Sequence, residues 1–76
     1  MKPINPDYPS LLKEVRKQLS LSQEDLAREL GVSYATVNRW ENRLSKPSKL
    51  ARVQLDAFCE RMVEAGMLNL SEVGRV

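Results

Sequence analysis

The chain has 76 residues, enough for one small domain whose modest core leaves little stability in reserve. It contains no histidine and one cysteine, which excludes an internal disulfide and any imidazole base or ligand. The formal net charge is only +2, so the balance of the whole chain says little about a polyanionic partner.

In chain order, the first segment, 1–9, carries Pro3, Pro6 and Pro9 at intervals of three. That spacing predicts an extended arm without internal hydrogen bonds, packed on the domain or mobile, and with Lys2 as its one basic residue. A first helix is expected from about Ser10 to Leu19, with Leu11, Leu12, Val15 and Leu19 on its apolar face. The run from Leu21 to Asn42, LSQEDLARELGVSYATVNRWEN, follows and is the most informative in the chain. Ser22 can cap a second helix, because its hydroxyl accepts from free backbone N–H groups. Glu24 and Asp25 then suit the positive end of the helix dipole. Leu26, Ala27 and Leu30 share one face. Gly31 stands where that helix must stop in a left-handed turn. Val32 packs inward, Ser33 caps a third helix, and Val37 and Trp40 form its buried stripe. Ala27 is small where the two helices approach most closely. Two short helices at a fixed tight turn are the geometry that lets the second one enter a DNA major groove.

A polar loop from Asn42 to Pro47 leads to a fourth helix, from about Ser48 to Ala65, with Gly66 able to end it. Leu50, Val53, Ala57, Phe58 and Met62 are expected to form its core face. Leu55, Cys59 and Val63 then widen the stripe and suggest a partner surface. Met67, Leu68, Leu70 and Val73 could make a short closing helix or a strand. The domain organisation is therefore an arm at 1–9, a helical domain at 10–66 and a tail at 67–76.

Charge is uneven. Residues 39–52 hold Arg39, Arg43, Lys46, Lys49 and Arg52 against Glu41 alone, whereas residues 53–76 hold Arg61 and Arg75 against Asp56, Glu60, Glu64 and Glu72. A basic end and an acidic end fit a molecule with one face toward a polyanion. The recognition helix bears no acid before Glu41, and carboxylates there would repel phosphates.

With Val37 and Trp40 turned inward, Ala35, Arg39 and Asn42 face outward at 100° per residue. Ser33 and Tyr34 lie at the helix entrance, the end that probes base edges in this motif. The expected base contacts are Ser33, Tyr34, Ala35 and Arg39. The Arg39 fork matches guanine O6 and N7, or else binds phosphate alone. Ala35 could touch a thymine methyl. Tyr34 could meet a thymine, meet a phosphate or cover the core. Ser22, Thr36 and Asn38 are expected at phosphates or backbone, and Asn42, Arg43, Lys46 and Lys49 at the phosphates on the far side. Trp40 is a core anchor rather than a stacking platform.

The quoted run, followed by KPS at residues 46–48, closely resembles the helix-turn-helix of the XRE family, which includes the Cro and lambda-type phage repressors. The resemblance covers roughly Leu11 to Phe58. It implies an all-α, compact four- to five-helix bundle of the lambda-repressor-like type that binds operator DNA, usually as a dimer. It also implies an ion pair between Arg16 and Glu41, and a phosphate clamp at Gln23. In one place the chain departs from the family, which commonly has glycine where Arg43 stands. Arg43 either adopts positive φ at a cost of roughly 1 kcal/mol or takes a different turn and points its charge at DNA.

These readings make the chain a sequence-specific regulator that binds double-stranded DNA, most simply a repressor, as a homodimer through the fourth helix or the tail. The alternatives are the N-terminal DNA-targeting module of a larger protein (a DNA-modifying enzyme or an antitoxin-like regulator), or a protein-interaction module that no longer binds DNA. Catalysis is not expected: Cys59 has no base beside it, and no glycine-rich phosphate loop exists. Asp56, Glu60 and Glu64 at i, i+4 and i+8 read as a solvated stripe, not a metal site. No cofactor or metal is expected. Cys59 reads as a small buried hydrophobe. No apolar run has the length of a membrane span and no signal-peptide core precedes the domain, so a cytoplasmic, nucleoid-associated location is expected.

Overall fold

The computed structural model describes residues 7–70. Four helices follow one another: α1 Tyr8–Leu19, α2 Gln23–Leu30, α3 Tyr34–Glu41 and α4 Lys49–Glu64. No strand occurs among the described residues, so the fold is all-α. α1 packs against α3, α2 against both α3 and α4, and the core lies between them. Leu12, Val15, Leu26, Val37 and Leu55 are its fully buried side chains, with Trp40 and Phe58 close behind.

α1 begins two residues earlier than its apolar pattern suggests. Asp7 is its N-cap residue, and Pro9 lies in the first turn. A proline is tolerated there because the first helical N–H groups have no intrahelical partner. Tyr8 and Pro9 are therefore helical rather than part of the extended arm expected over 1–9, and the rest of that expectation, residues 1–6, lies outside the described residues.

All four helices end in the same way. The chain turns through a left-handed residue, Ser20, Gly31, Arg43 or Gly66 (φ 57°, 74°, 62° and 76°). The N–H of that residue bonds back three positions, and the next N–H bonds back five: Leu21 to Arg16 at 2.9 Å, Val32 to Ala27 at 3.0 Å, Leu44 to Arg39 at 2.9 Å and Met67 to Met62 at 2.9 Å. This double bond to the last carbonyls is a Schellman motif. Glycine adopts the required φ without cost, whereas a side chain there is strained. A Cβ on Gly31 would meet nothing within 4 Å, so its requirement comes from φ alone. Ser20→Gly is expected to raise the melting temperature by several degrees, relieving up to about 1 kcal/mol. A scanning calorimetry trace with no upward shift would contradict this.

α4 corrects the expected core face. Leu50 and Val53 are 71% and 55% exposed, and Ala57 is half-buried. The buried residues are instead Leu55 (0%), Phe58 and Cys59 (6%), with Ala51 and Met62 packed against them. The helix carries two apolar stripes. Ala51, Leu55, Phe58, Cys59 and Met62 fall within roughly 100° of arc, and Leu50, Val53 and Ala57 lie on the opposite side. The first set has the larger apolar surface, and docking on α2 turns it inward. Leu55 and Cys59 are thus core, not a surplus face. Burial, with some help from the Asp56 charge, pushes the Cys59 thiol up to about 11, which keeps it protonated and a poor nucleophile at neutral pH.

After Gly66 the chain forms neither helix nor strand through Leu70. Leu68 plugs the core at 5% exposure. The Gln18 amide pins this segment to α1, donating to the Asn69 carbonyl at 2.8 Å and accepting from the Asn69 N–H at 2.7 Å. Val73 lies outside the described residues.

Candidate nucleic-acid interface

The α2–α3 unit is built by its caps. Ser22 Oγ accepts from the Asp25 N–H at 2.9 Å, and the Asp25 carboxylate accepts from the Ser22 N–H at 3.1 Å. This reciprocal capping box fixes the start of α2. Gly31 then ends that helix, and Ser33 Oγ accepts from the Thr36 N–H at 3.1 Å to start α3. The two caps and the glycine fix the angle between the helices.

α3 is held by three inward residues, Val37, Trp40 and Glu41. Glu41 is buried at 3% exposure, and Arg16 keeps a quarter of its side chain in water. Their contact is bidentate: Arg16 Nε donates to Glu41 Oε2 at 2.7 Å and Nη2 to Oε1 at 2.8 Å. Arg16 Nη1 also donates to the Leu21 carbonyl at 3.3 Å. Planar fork geometry of this kind is specific to arginine. Burial by itself raises the Glu41 pKa. Hydrogen bonds from Arg16 and Gln23, with the charges of Arg16 and Lys13, overcome it and leave the carboxyl below its ordinary value.

The network continues outward. Gln23 Nε2 donates to Glu41 Oε1 at 3.0 Å, Asn38 Nδ2 donates to Gln23 Oε1 at 3.1 Å, and Asn42 Nδ2 donates to Asn38 Oδ1 at 3.2 Å and to the Asn38 carbonyl at 2.8 Å. Gln23, Asn38 and Asn42 are therefore joined to the Arg16–Glu41 pair, and α3 is tied to the start of α2. Among the described residues no buried side-chain nitrogen or oxygen lacks a partner.

The outer face of α3 is open. Tyr34, Ala35 and Arg39 are exposed, and Thr36 is half-buried with its hydroxyl 2.9 Å from Ser33 Oγ. Arg39 and Tyr34 form no side-chain hydrogen bond or ion pair with any described residue. An open groove of about 530 Å³ runs beside Arg16, Ser22, Gln23, Glu24 and Tyr34, between the starts of α2 and α3. The first two N–H groups of α2 have no intrahelical partner there.

Beyond α3, Arg43 adopts the positive φ that glycine would have supplied, and its guanidinium reaches back to Asp7 Oδ2 at 3.0 Å. The Arg43 and Ser10 hydrogen bonds hold the Asp7 carboxyl below its usual value. Both partners are largely exposed, so the pair adds little stability. Asp7 gave no sign of this role in the sequence, because 36 residues separate the two. Arg43, Lys46 and Arg52 line one cleft of about 490 Å³ with Tyr8, Trp40 and Pro47. Arg52 was visible only in the charge tally, and the fold brings it beside the loop cations. Lys46 and Lys49 are exposed.

The helix-turn-helix family matches residues 12–51, more than half of the chain. Three relatives, the uncharacterized HTH-type transcriptional regulator YiaG of Escherichia coli K12, O6:H1 and O157:H7, are 49% identical over 37 residues. That segment is 49% of this chain and 38% of each relative, so the match spans well under half of their length. No solved structure gives a significant match. No helix among the described residues is long and apolar enough to cross a membrane. The family match falls on the capped α2–α3 unit and the elements that hold it, and the chain belongs to the XRE-type helix-turn-helix family of DNA-binding domains.

Proposed function

We propose that this domain is a transcriptional repressor that inserts α3 into the major groove of a specific operator. The observation that carries the reading is the asymmetry of α3. Its inner face is locked by Val37, Trp40 and Glu41, while Arg39 and Ala35 stand exposed on the outer face, with no side-chain partner among the described residues. Ser33, Tyr34, Ala35 and Arg39 read base edges. Ser22, Gln23, Thr36, Asn38 and Asn42 meet or orient the phosphates at the start of α2 and along α3. Lys46, Lys49 and Arg43 hold the phosphates on the other side, Arg43 more weakly because Asp7 competes for it. Arg52 joins this second group. The domain acts as a homodimer, so that two copies of α3 read two half-sites, inside the cell and without enzymatic activity.

Two substitutions separate reading from gripping. Arg39→Ala is expected to lower affinity for the selected site by about 1–3 kcal/mol while leaving random DNA nearly unaffected. Equal loss on both would reduce Arg39 to a phosphate contact. Lys46→Ala is expected to weaken binding to every sequence and to reduce the salt slope by about 0.9. Titrations in a mobility-shift or anisotropy assay at several salt concentrations, on sites selected from a random pool, decide both. Failure to bind any duplex at low salt would end this reading.

A further inference from the structure

Four elements meet at the cleft of about 490 Å³: the start of α1, the end of α3, the loop 42–47 and the first turn of α4. Its walls and its rim differ in kind. Tyr8, half-buried, and the buried Trp40 and Pro47 form apolar walls. Arg43, Lys46 and Arg52 supply three exposed cations, and Asp7 is the one carboxylate among the lining residues. Lys46 and Arg52 form no ion pair with a described residue. Asp7 stands at the N-cap of α1, yet its side chain makes no cap hydrogen bond. It accepts instead from Ser10 Oγ at 2.9 Å and from Arg43 Nη2 at 3.0 Å. The chain thus already seats one anion of its own against this rim.

We propose that the cleft binds a small organic phosphate with a flat ring, of the aryl or nucleoside phosphate class, and that this ligand competes with DNA. Three cations against one carboxylate leave a surplus of two positive charges. A phosphate monoester supplies nearly that charge in the opposite sense, with three strong acceptor oxygens, and arginine forks bond such oxygens two at a time. The walls call for the ring. Tyr8 and Trp40 present aromatic surface, and guanidinium groups stack on ring faces. A bare phosphate would use the rim and leave the walls wet, whereas a neutral ring would leave the cations unmet. The volume falls within the range of about 300–1,000 Å³ usual for small-molecule sites.

A DNA duplex does not meet the same demands. Its backbone phosphates carry one charge each and its bases stay stacked inside, so it engages the rim and not the walls. Arg43 and Lys46 are cations that the functional reading above gives to DNA phosphates. A ligand lying on them removes part of that grip from every sequence, and so acts as an inducing signal. This consequence rests on that reading, whereas the site itself does not.

The experiment uses phenyl phosphate as the probe on the whole chain, with inorganic phosphate and benzyl alcohol as its charge-only and ring-only counterparts. Calorimetry gives the affinity. Emission from Trp40, the one tryptophan of the chain, locates the binding, and circular dichroism shows that each variant is folded. The expected result is saturable binding of phenyl phosphate, at least about tenfold tighter than either counterpart, with a change in Trp40 emission. Arg52→Ala should weaken it about tenfold, since it removes a charge-assisted hydrogen bond. Asp7→Asn should tighten it by up to about fivefold by freeing Arg43, and asparagine caps a helix as well as aspartate does. On duplex DNA, saturating phenyl phosphate should raise the apparent Kd beyond the effect of inorganic phosphate at equal ionic strength. Absence of saturable binding, inorganic phosphate binding as tightly as phenyl phosphate, or an affinity indifferent to Arg52→Ala would each overturn the proposal. Tight binding in the cleft that leaves DNA affinity unchanged would count against the phosphate roles of Arg43 and Lys46 alone.

Discussion

Glu41→Ala is expected to destabilise the domain by about 3 kcal/mol and to lower its melting temperature by roughly 15 °C. The mechanism is an orphaned charge. Arg16 would remain mostly out of water without the carboxylate that accepts its two short hydrogen bonds, and Gln23 would lose the acceptor of its amide. The estimate is at the low end for a broken buried pair because Arg16 keeps some contact with water. Domains of this size have on the order of 5 kcal/mol in total, so much of the margin would vanish. Arg16→Lys should not restore it, since an ammonium cannot span both carboxylate oxygens. A melting temperature within two or three degrees of the parent would show that the pair is structurally idle.

The same pair sets an acid limit. The folded Glu41 pKa lies below its ordinary value of 4.5. Its contribution is therefore fully present above that value and is lost as pH falls through the lower, folded pKa. The Glu41→Ala variant should show a smaller loss of stability than the parent over that acid range.

The second large effect concerns the rotation of α4. Leu55→Ala is expected to cost about 2–5 kcal/mol, because it opens a cavity at a site with no exposure. Leu50→Ala should lie within about 0.5 kcal/mol of the parent. Both substitutions have the same intrinsic effect on helix propensity, so the difference reports tertiary packing alone. Urea unfolding of the two variants measures it, and the reverse order would mean that α4 docks through its other stripe.

Legibility differed from element to element for physical reasons. α2 and the start of α3 were readable to the residue, since these boundaries are set by local chemistry. Ser22 and Ser33 supply hydroxyls to nearby N–H groups, and Gly31 supplies a left-handed turn. The end of α3 was harder, because Arg43 takes the same conformation without a glycine to announce it; the end of α1 at Leu19 matched the expectation even though Ser20 plays that part there. The start of α1 was obscured by Pro9, whose tolerance in a first turn makes it ambiguous between arm and helix. On α4 two stripes of helical spacing compete, and spacing alone does not choose between them.

The site shows a similar division. Arg39 and Ala35 could be placed outside because Val37 and Trp40 had to be inside. The Arg16–Glu41 contact rested on family resemblance, since nothing local links residues 25 positions apart. The Gln23–Asn38 bond, the Asp7–Arg43 pair and the approach of Arg52 to the loop cations were not visible at all. Each joins residues whose proximity depends on how whole helices pack.

The sequence by itself determined where α2 and α3 lie and which side of α3 faces out, because caps, a glycine and a periodic apolar stripe act within a few residues. Only the tertiary structure decided which stripe of α4 is buried, how residues 67–70 close the core and which polar side chains share hydrogen bonds. Those choices are made by contacts between distant segments, where total buried area and polar satisfaction outweigh local preference.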